Sequence, residues 1–351
     1  MKKYAVSTAI SGLYLFSLFA VGTQSVKASL SLCAQKLLPS LFISVVISVY
    51  LLKSGLWRYL PFKRLFAKVF KLSDSASACA LIGILCGFPT GAVCAAEMSA
   101  EGICSKKEAE RICLIFSLPS PAFVISFVGE GLFESIYIGA VLYLVLFASL
   151  YFTNLILCLT ENRDGDYMPE QNEEKYKTEL FLPIVNAIGE SAIRCIKLCA
   201  FVVFFSQMAS AISFMLPYGV KTLVYPIFEI SQGAVHISSL QLEAALIVSS
   251  AALSFSGLSV YGQIASAAYE KGLSLNGYFK KRILMSLISS CLMCALIFLP
   301  PVILGVLCFC ILFFIFCKKE LIECSKNEKS TKKFTKSTSA DFRANKRKKN
   351  T

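Results

Sequence analysis

The sequence has little of what soluble enzymes and ATP-driven pumps use. Among its 351 residues there is one histidine, His236, and only 16% are charged. No Gly-rich phosphate loop of the Walker type occurs, so we expect no ATP hydrolysis by this chain. No nucleophile–base set is evident either, and we expect no enzymatic activity and no cofactor.

Metal-ligand clusters are also scarce, although the chain has fifteen cysteines. Cys291 and Cys294 have the spacing of metal ligands, but no second pair is close in sequence and His236 is distant. A structural zinc site needs four such ligands. We therefore interpret the cysteines, nearly all in apolar segments, as small hydrophobic residues, and predict no metal site.

The apolar residues form long continuous runs rather than alternating patterns. Hydrophobic residues make up 56% of the chain, and the mean hydropathy is +0.66. Several runs reach the roughly 20 residues that span a hydrocarbon core. The sequence therefore predicts an all-α polytopic membrane protein with about 8–10 transmembrane helices, because transmembrane β-strands would alternate.

The charges, which sum to +13, are unevenly distributed. Residues 160–182 form an acidic loop with seven Asp/Glu and three Lys/Arg, and residues 318–351 form a basic tail with twelve Lys/Arg and four Asp/Glu. The loop divides a first transmembrane half, residues 1–159, from a second, residues 183–317. Because Lys/Arg-rich segments stay in the cytoplasm, we expect residues 270–282 and the tail to lie there, with the tail on anionic lipid rather than nucleic acid.

Two segments leave alternatives open. Residues 4–22 resemble a secretory signal peptide, but their apolar run is longer than usual, so we interpret them as a first transmembrane helix. Residues 223–235 are short for a crossing, yet a topology of ten crossings based on loop charge requires one there.

Two apolar segments contain helix-breaking residues where a membrane helix would run unbroken. Residues 76–100 carry "GFPTG", beginning at Gly87, and residues 240–269 carry "SFSGLS", in which Gly257 lies 170 positions after Gly87. The same offset recurs at a later glycine and a later basic residue. Five crossings would lie between the starts of the two segments, which therefore point in opposite directions, and we predict inverted repeats.

Unwound backbone persists in a membrane only where protein or water satisfies its polar groups, so the breaks predict a cavity. Pro89 disfavours the helical conformation at Phe88, and a helix that restarts directs free N–H groups at an anion. We expect Thr90 to cap one restarting helix and Ser256 or Ser259 to cap the other. Paired helix ends of this kind form substrate sites in secondary transporters, whereas simple kinks or close helix packing are the alternative.

The candidate substrate-binding residues are those of the two breaks and the polar residues that follow. They are Gly87, Phe88, Pro89, Thr90, Gly91, Glu97, Ser256, Gly257, Ser259, Tyr261 and Gln263. Glu97 and Gln263 hold nearly corresponding positions in apolar surroundings, where a polar group is a functional candidate. Glu229 is a further intramembrane candidate, and the alternative for both Glu97 and Glu229 is that they reach lipid headgroups or cap neighbouring helices. Glu190, Arg194 and Lys197 share one helical face, which we interpret as the interfacial start of a helix.

These motifs resemble a known family. The stretches "GFPTGA…EMSAEGICSKKEAERI", "SPAFVISFVG" and "FSGLSVYGQ" resemble sporulation integral membrane proteins of the YlbJ family, also called SpoVV, over about residues 28–300. The last stretch also looks like the gate region of concentrative nucleoside transporters, the nucleoside-recognition domain. The chain departs from the family at Phe88, where Tyr is often found, and at "FSLPSPAF", where an Asn-containing stretch is common.

The resemblance implies a role in endospore formation, in the outer forespore membrane, in moving dipicolinic acid from the mother cell toward the forespore. Dipicolinate is a planar aromatic dianion, so helix N-termini would favour its carboxylates, Thr90 and Ser259 could orient them, and Phe88 or Tyr261 could stack on the ring. A carrier of nucleosides or another organic solute, and a membrane scaffold acting through the basic tail, are the alternatives. The oligomeric state stays open, with a homo-oligomer included.

Overall fold

The computed structural model describes residues 21–160 and 181–299, together with residues 8, 11, 12, 14–17 and 19. These residues are predominantly helical and include no strand, so the predicted all-α class is confirmed. The end of the predicted second transmembrane half, residues 300–317, and the basic tail lie outside the described residues. Most of the acidic loop and much of the predicted first helix also lie outside them.

The helices follow one another in a simple order. They are α1 (Gln24–Leu32), α2 (Leu38–Lys53), α3 (Lys63–Phe70), α4 (Asp74–Cys86), α5 (Thr90–Ala100), α6 (Lys106–Arg111), α7 (Ile112–Phe116), α8 (Ala122–Glu130), α9 (Ile136–Thr160), α10 (Phe181–Phe214), α11 (Tyr218–Phe228), α12 (Ile230–Ile237), α13 (Leu242–Phe255), α14 (Gly257–Glu270) and α15 (Tyr278–Phe298). A π-helical turn joins α1 to α2, and α7 and α8 are also wound as π-helix. The contacts described below all lie within one compact unit, Met1–Met293.

Several of these helices can cross a membrane. By length and composition, four described stretches qualify: α9, Leu182–Phe214 of α10, Leu242–Glu270 (α13 with α14) and α15. The number rises to six if each of two bent pairs counts as one span, and one of these pairs, α3 with α4, bends by 100°. Multiple spans agree with the predicted polytopic protein, and the predicted first helix falls largely outside the described residues.

The first predicted broken segment folds back on itself, because α4 and α5 lie antiparallel. Cys79 Sγ lies 3.0 Å from Met98 Sδ, and a Cβ placed on Gly91 would lie only 2.4 Å from Gly83 Cα. We call residues 74–100 hairpin 1. The predicted fold class allowed a broken or a re-entrant segment here, and the chain takes the re-entrant form, since it reverses at its Gly-Phe-Pro turn.

One carboxylate holds the base of hairpin 1. Ser73 caps α4 and Ser105 caps α6, each accepting a hydrogen bond from a backbone N–H of the first turn. Glu108 accepts from Ser73 N at 2.6 Å and from Ser105 Oγ at 2.9 Å. Ser105 and Glu108 have the spacing of a capping box, but only the fold brings in Ser73, which precedes the hairpin.

A second antiparallel pair is formed by α11 and α12, and we call residues 218–237 hairpin 2. The rings of Tyr225 and His236 stack with their centroids 4.0 Å apart. A Cβ placed on Gly233 would lie 2.5 Å from Pro226 Cα. The sequence left open whether this short segment crosses the membrane, and the structure shows two short helices that reverse direction between them.

Each hairpin is followed by an interrupted helix and then by a long helix. Residues 117–121 separate α7 from α8, and Ser256, with φ of +73°, separates α13 from α14. The tips of the hairpins, Phe88 and Glu229, are 141 residues apart, and the starts of α9 and α15 are 142 apart. By this spacing we pair the two hairpins with each other, whereas the sequence analysis paired hairpin 1 with α13–α14 at an offset of 170.

The two hairpins approach the interrupted span Leu242–Glu270 from its opposite ends. Ser274, just beyond α14, donates its backbone N–H to Glu110 Oε1 at 2.8 Å, which places the base of hairpin 1 near the Glu270 end. Hairpin 2 leads within four residues into the Leu242 end. The two hairpins are thus opposed in direction, as predicted for the repeats, although the second partner is a different segment.

Candidate functional site

The hairpins and the helix breaks are in direct contact. A Cβ on Gly87, at the tip of hairpin 1, would lie 2.6 Å from Ser120 N in the first break. A Cβ on Gly257, in the second break, would lie 3.0 Å from Pro226 O of hairpin 2. Both glycines have positive φ, so each contact depends on a residue without a side chain.

A small cavity lies where the two tips converge. Its volume is about 20 Å³, and Phe88, Ser120, Glu229 and Gln263 are among the residues that line it. Such a volume holds about one water molecule. Between the tips, the structure is therefore almost closed.

A buried arginine connects the two breaks. Arg282 of α15 is fully buried and donates from Nη2 to Ser117 O at 2.7 Å and from Nη1 to Ser254 O at 3.3 Å. Both carbonyls belong to residues at the ends of helices that stop at a break, where the helix dipole leaves partial negative charge. The sequence placed Arg282 at the end of a cytoplasmic loop and gave no signal of this role.

A cavity of about 280 Å³ lies beside hairpin 1 and is walled by α5, α10 and α14. A third cavity, of about 390 Å³, is lined by residues of 35–39 and 122–132 and contains no candidate residue. Of the two cavities that contain candidate residues, we call the one beside hairpin 1 the larger cavity. Its polar lining includes Thr90, Glu97, Glu190, Arg194, Lys197 and Gln263. The volume is at the lower end of the range for ligand pockets and suits one small solute. Gln263 lines both cavities, so it marks the inner end of the larger one.

Charged side chains in the wall of the larger cavity form ion pairs. Arg194 of α10 donates from Nη2 to Glu97 Oε1 of hairpin 1 at 2.7 Å, and the same nitrogen lies 3.6 Å from Glu190 Oε2. Lys53 pairs with Glu190. Glu97 therefore has a partner within the protein. The sequence analysis placed Arg194 at the interfacial start of a helix, and the structure places it in the wall of the cavity.

Gln263 has an unsatisfied polar atom. Its side chain is only 7% exposed, and its Nε2 donates to Ser259 Oγ at 3.4 Å. Its Oε1 has no hydrogen-bond partner among the described residues. A buried amide oxygen of this kind is free to accept a hydrogen bond from a bound molecule.

The expected side-chain caps at the breaks do not form. Pro89 precedes α5, and among the described residues no side chain caps that helix. Ser256 Oγ donates to Leu253 O at 3.1 Å instead of capping α14, and Ser259 lies inside α14. The tight backbone turn before Thr90 and the left-handed conformation of Ser256 take the place of the predicted caps. The start of α14 faces carbonyl oxygens of hairpin 2, which would repel an anion.

The candidate residues from the sequence divide into two groups. Pro89, Thr90, Glu97 and Gln263 line the larger cavity, and Phe88 lines the small one. The other candidates, namely Gly87, Gly91, Ser256, Gly257, Ser259 and Tyr261, are not part of the lining of either cavity. Tyr261 packs on Tyr278 and Phe279, with ring centroids 5.0 and 4.7 Å apart.

Sequence reasoning missed Arg194 as a cavity residue, although a signal for it was present. Glu97 stands in apolar surroundings, and a buried carboxylate needs a cation near it. Arg194 is one of few arginines within an apolar helix, so it was the natural candidate.

Comparisons with known proteins bear on the family. No family model matches the chain, and no solved structure matches it. The chain is 25% identical over 307 residues to the sporulation integral membrane protein YlbJ of Bacillus subtilis (strain 168), and the match covers 74% of this chain and 73% of that protein. This similarity supports the resemblance to the YlbJ family that the sequence motifs indicated.

Proposed function

We propose that this protein is a sporulation membrane protein that carries dipicolinate across the outer forespore membrane. The observation that carries the proposal is the cavity of about 280 Å³ beside hairpin 1, with the guanidinium of Arg194 in its wall. A guanidinium recognises carboxylates by charge and by planar geometry. The similarity to YlbJ supports the connection with sporulation.

The opposed hairpins support a carrier. Discontinuous helical elements from inverted repeats surround the substrate site in many secondary transporters, and movement of one repeat against the other opens the site to alternate sides. Here the larger cavity lies beside hairpin 1, and only about 20 Å³ remains between the tips. Displacement of a hairpin tip would open a path for the solute from the larger cavity through the small cavity between the tips.

A carrier of nucleosides is the second candidate. The observation that favours it is the amide of Gln263, whose free Oε1 could accept a hydrogen bond from a nucleobase. Nucleosides are neutral and make no use of Arg194. A competition experiment therefore separates the two solutes.

The test of the proposed function is uptake of radiolabelled dipicolinate into liposomes containing the purified protein. We expect uptake above that of protein-free liposomes, with competition by excess unlabelled dipicolinate and none by uridine. Uptake equal to that of protein-free liposomes contradicts the proposal. Inhibition by uridine alone favours the nucleoside carrier. In a spore-forming host, spores lacking the protein should contain less dipicolinate.

The basic tail offers a separate test against a scaffold function. We propose that residues 318–351 bind anionic lipid and take no part in transport. A variant without these residues should keep its uptake of dipicolinate and lose affinity for liposomes rich in anionic lipid. A scaffold that recruits partners through the tail would instead lose its sporulation phenotype on the same deletion.

A further inference from the structure

The ion pair of the larger cavity leaves part of Arg194 unused. Nη2 of Arg194 donates a hydrogen bond to Glu97 and lies near Glu190. Nη1 is buried and has no hydrogen-bond partner among the described residues. A buried donor without an acceptor is unfavourable. An acceptor that reached Nη1 from the cavity, as the side chains around Arg194 shift, would supply the missing hydrogen bond.

The surroundings of that donor indicate the chemistry of the acceptor. Glu97 and Glu190 both lie at Nη2 of the Arg194 guanidinium. The other terminal nitrogen, Nη1, can therefore donate to a further carboxylate oxygen. The same cavity contains the buried amide of Gln263, whose Oε1 is also unpartnered among the described residues. An arginine edge and an amide in one small cavity fit a planar carboxylate with a second polar group on its ring.

Glu97 has a different position relative to such a ligand. It belongs to hairpin 1, and Arg194 belongs to α10, so their hydrogen bond of 2.7 Å ties the hairpin to the neighbouring helix. A ligand carboxylate that approaches Arg194 competes with Glu97 for the same cation and is repelled by its charge. Ligand binding and the tie between hairpin 1 and α10 therefore oppose each other.

We propose that Arg194 is the residue that binds the carboxylate of the transported solute, and that Glu97 is a competing counterion which the solute displaces. This inference rests on the proposed function and specifies its site. Displacement of Glu97 loosens hairpin 1 from α10, so solute binding is coupled to movement of the hairpin. By reciprocity, weakening the tie must strengthen solute binding.

The test uses the full-length protein in detergent, with equilibrium dialysis of radiolabelled dipicolinate against wild type and two variants. Arg194→Gln should weaken binding about 10- to 100-fold, the size expected for loss of a charged hydrogen bond. Glu97→Gln should tighten binding by about fivefold or more, since Arg194 loses its competitor. Lys280→Gln, at an exposed position of α15 away from the cavity, removes the same charge as Arg194→Gln and should bind as wild type.

The opposite signs of the two variants separate a ligand site from a structural ion pair. If the pair only stabilises the fold, both variants lower the melting temperature and neither tightens binding, which overturns the proposal. Unchanged affinity of Arg194→Gln also overturns it. If Arg194→Gln fails to fold, the affinity of Glu97→Gln, which retains Arg194, tests the proposal by itself. An affinity for dipicolinate equal to or weaker than that of wild type contradicts the proposal.

The same measurements distinguish failure of this inference from failure of the proposed function. Wild-type protein that neither binds nor carries dipicolinate contradicts both. Wild-type protein that carries dipicolinate, with both variants at wild-type affinity, contradicts only the assignment of Arg194 and Glu97.

Discussion

Hairpin 1 and hairpin 2 reverse the chain in similar ways but differ in how the start of their second helix is capped. In hairpin 2, Glu229 is 1% exposed, and its carboxylate accepts from Ser231 N at 3.0 Å and Gln232 N at 2.7 Å. The start of α12 is thus occupied by an anion of the chain itself. In hairpin 1, α5 begins after Pro89 with no side-chain cap among the described residues.

Under the proposed function, this difference assigns the solute to hairpin 1. An anion cannot use the start of α12, because the Glu229 carboxyl group already accepts from the N–H groups of Ser231 and Gln232. The second helix of hairpin 1 instead lines the larger cavity from Thr90 to Glu97. We therefore interpret hairpin 2 as the hairpin whose second helix is capped by its own side chain. We interpret hairpin 1 as the hairpin that responds to the proposed solute.

The largest effect is expected where the hairpins are alike. In each, two helices meet at a glycine, and a Cβ on Gly91 or Gly233 would lie within 2.4–2.5 Å of opposing backbone. Gly91→Ala and Gly233→Ala should each destabilise the protein by about 3 kcal/mol or more, since backbone cannot yield as a side chain can. Thermal unfolding in detergent measures this.

The control for these substitutions is Gly189→Ala in α10, where a Cβ would meet nothing within 4 Å. It should leave stability unchanged or slightly raised, because alanine favours the helix. A large loss for one hairpin glycine and none for the other would show that the hairpins are not equivalent in packing.

The next effect concerns the cation that both halves share. Arg282→Met leaves the carbonyls of Ser117 and Ser254 without their donor, and we expect a loss of about 2–5 kcal/mol. The melting temperature in detergent is the measurement, and Lys280→Met, at an exposed position of the same helix, is the control. Equal stability of the two variants would mean that Arg282 does not hold the breaks together.

A smaller effect should be confined to hairpin 2. Glu229→Ala removes the cap of α12, which is typically worth about 1–2 kcal/mol. Glu243→Ala, an exposed acid in the first turn of α13, is the matched control and should change stability by less than about 0.5 kcal/mol. No loss of melting temperature for Glu229→Ala would contradict the role of this carboxylate.

The smallest effect on stability is expected in hairpin 1. Thr90 begins α5 but caps nothing, so Thr90→Val should change stability by less than about 0.5 kcal/mol. Because Thr90 lines the cavity, uptake of dipicolinate should fall about two- to tenfold, as for loss of a neutral hydrogen bond. Normal uptake of dipicolinate by Thr90→Val would show that Thr90 is not part of the site. A large loss of stability would show instead that Thr90 has a structural role.

The motif "GFPTG" was sufficient to place a break and a cavity near Gly87, because glycine and proline disrupt helices locally. It was not sufficient to show that the chain reverses there. That outcome depends on the close approach of Gly83 and Gly91, four residues before and after the turn, which no local propensity encodes. The sequence paired this segment with α13–α14 for the same reason, since the spacing of glycines along the sequence does not distinguish a hairpin from an interrupted span.

The sequence by itself determined that the protein is helical, apolar and multiply spanning, because hydrophobic run length and helix-breaking residues act locally. It also identified four of the residues that line the larger cavity. Only the tertiary structure decided that the hairpins oppose each other, that Arg282 joins the two breaks and that Glu97 faces Arg194. These facts depend on contacts between residues 28 to 165 positions apart, whose geometry is set by packing of whole helices.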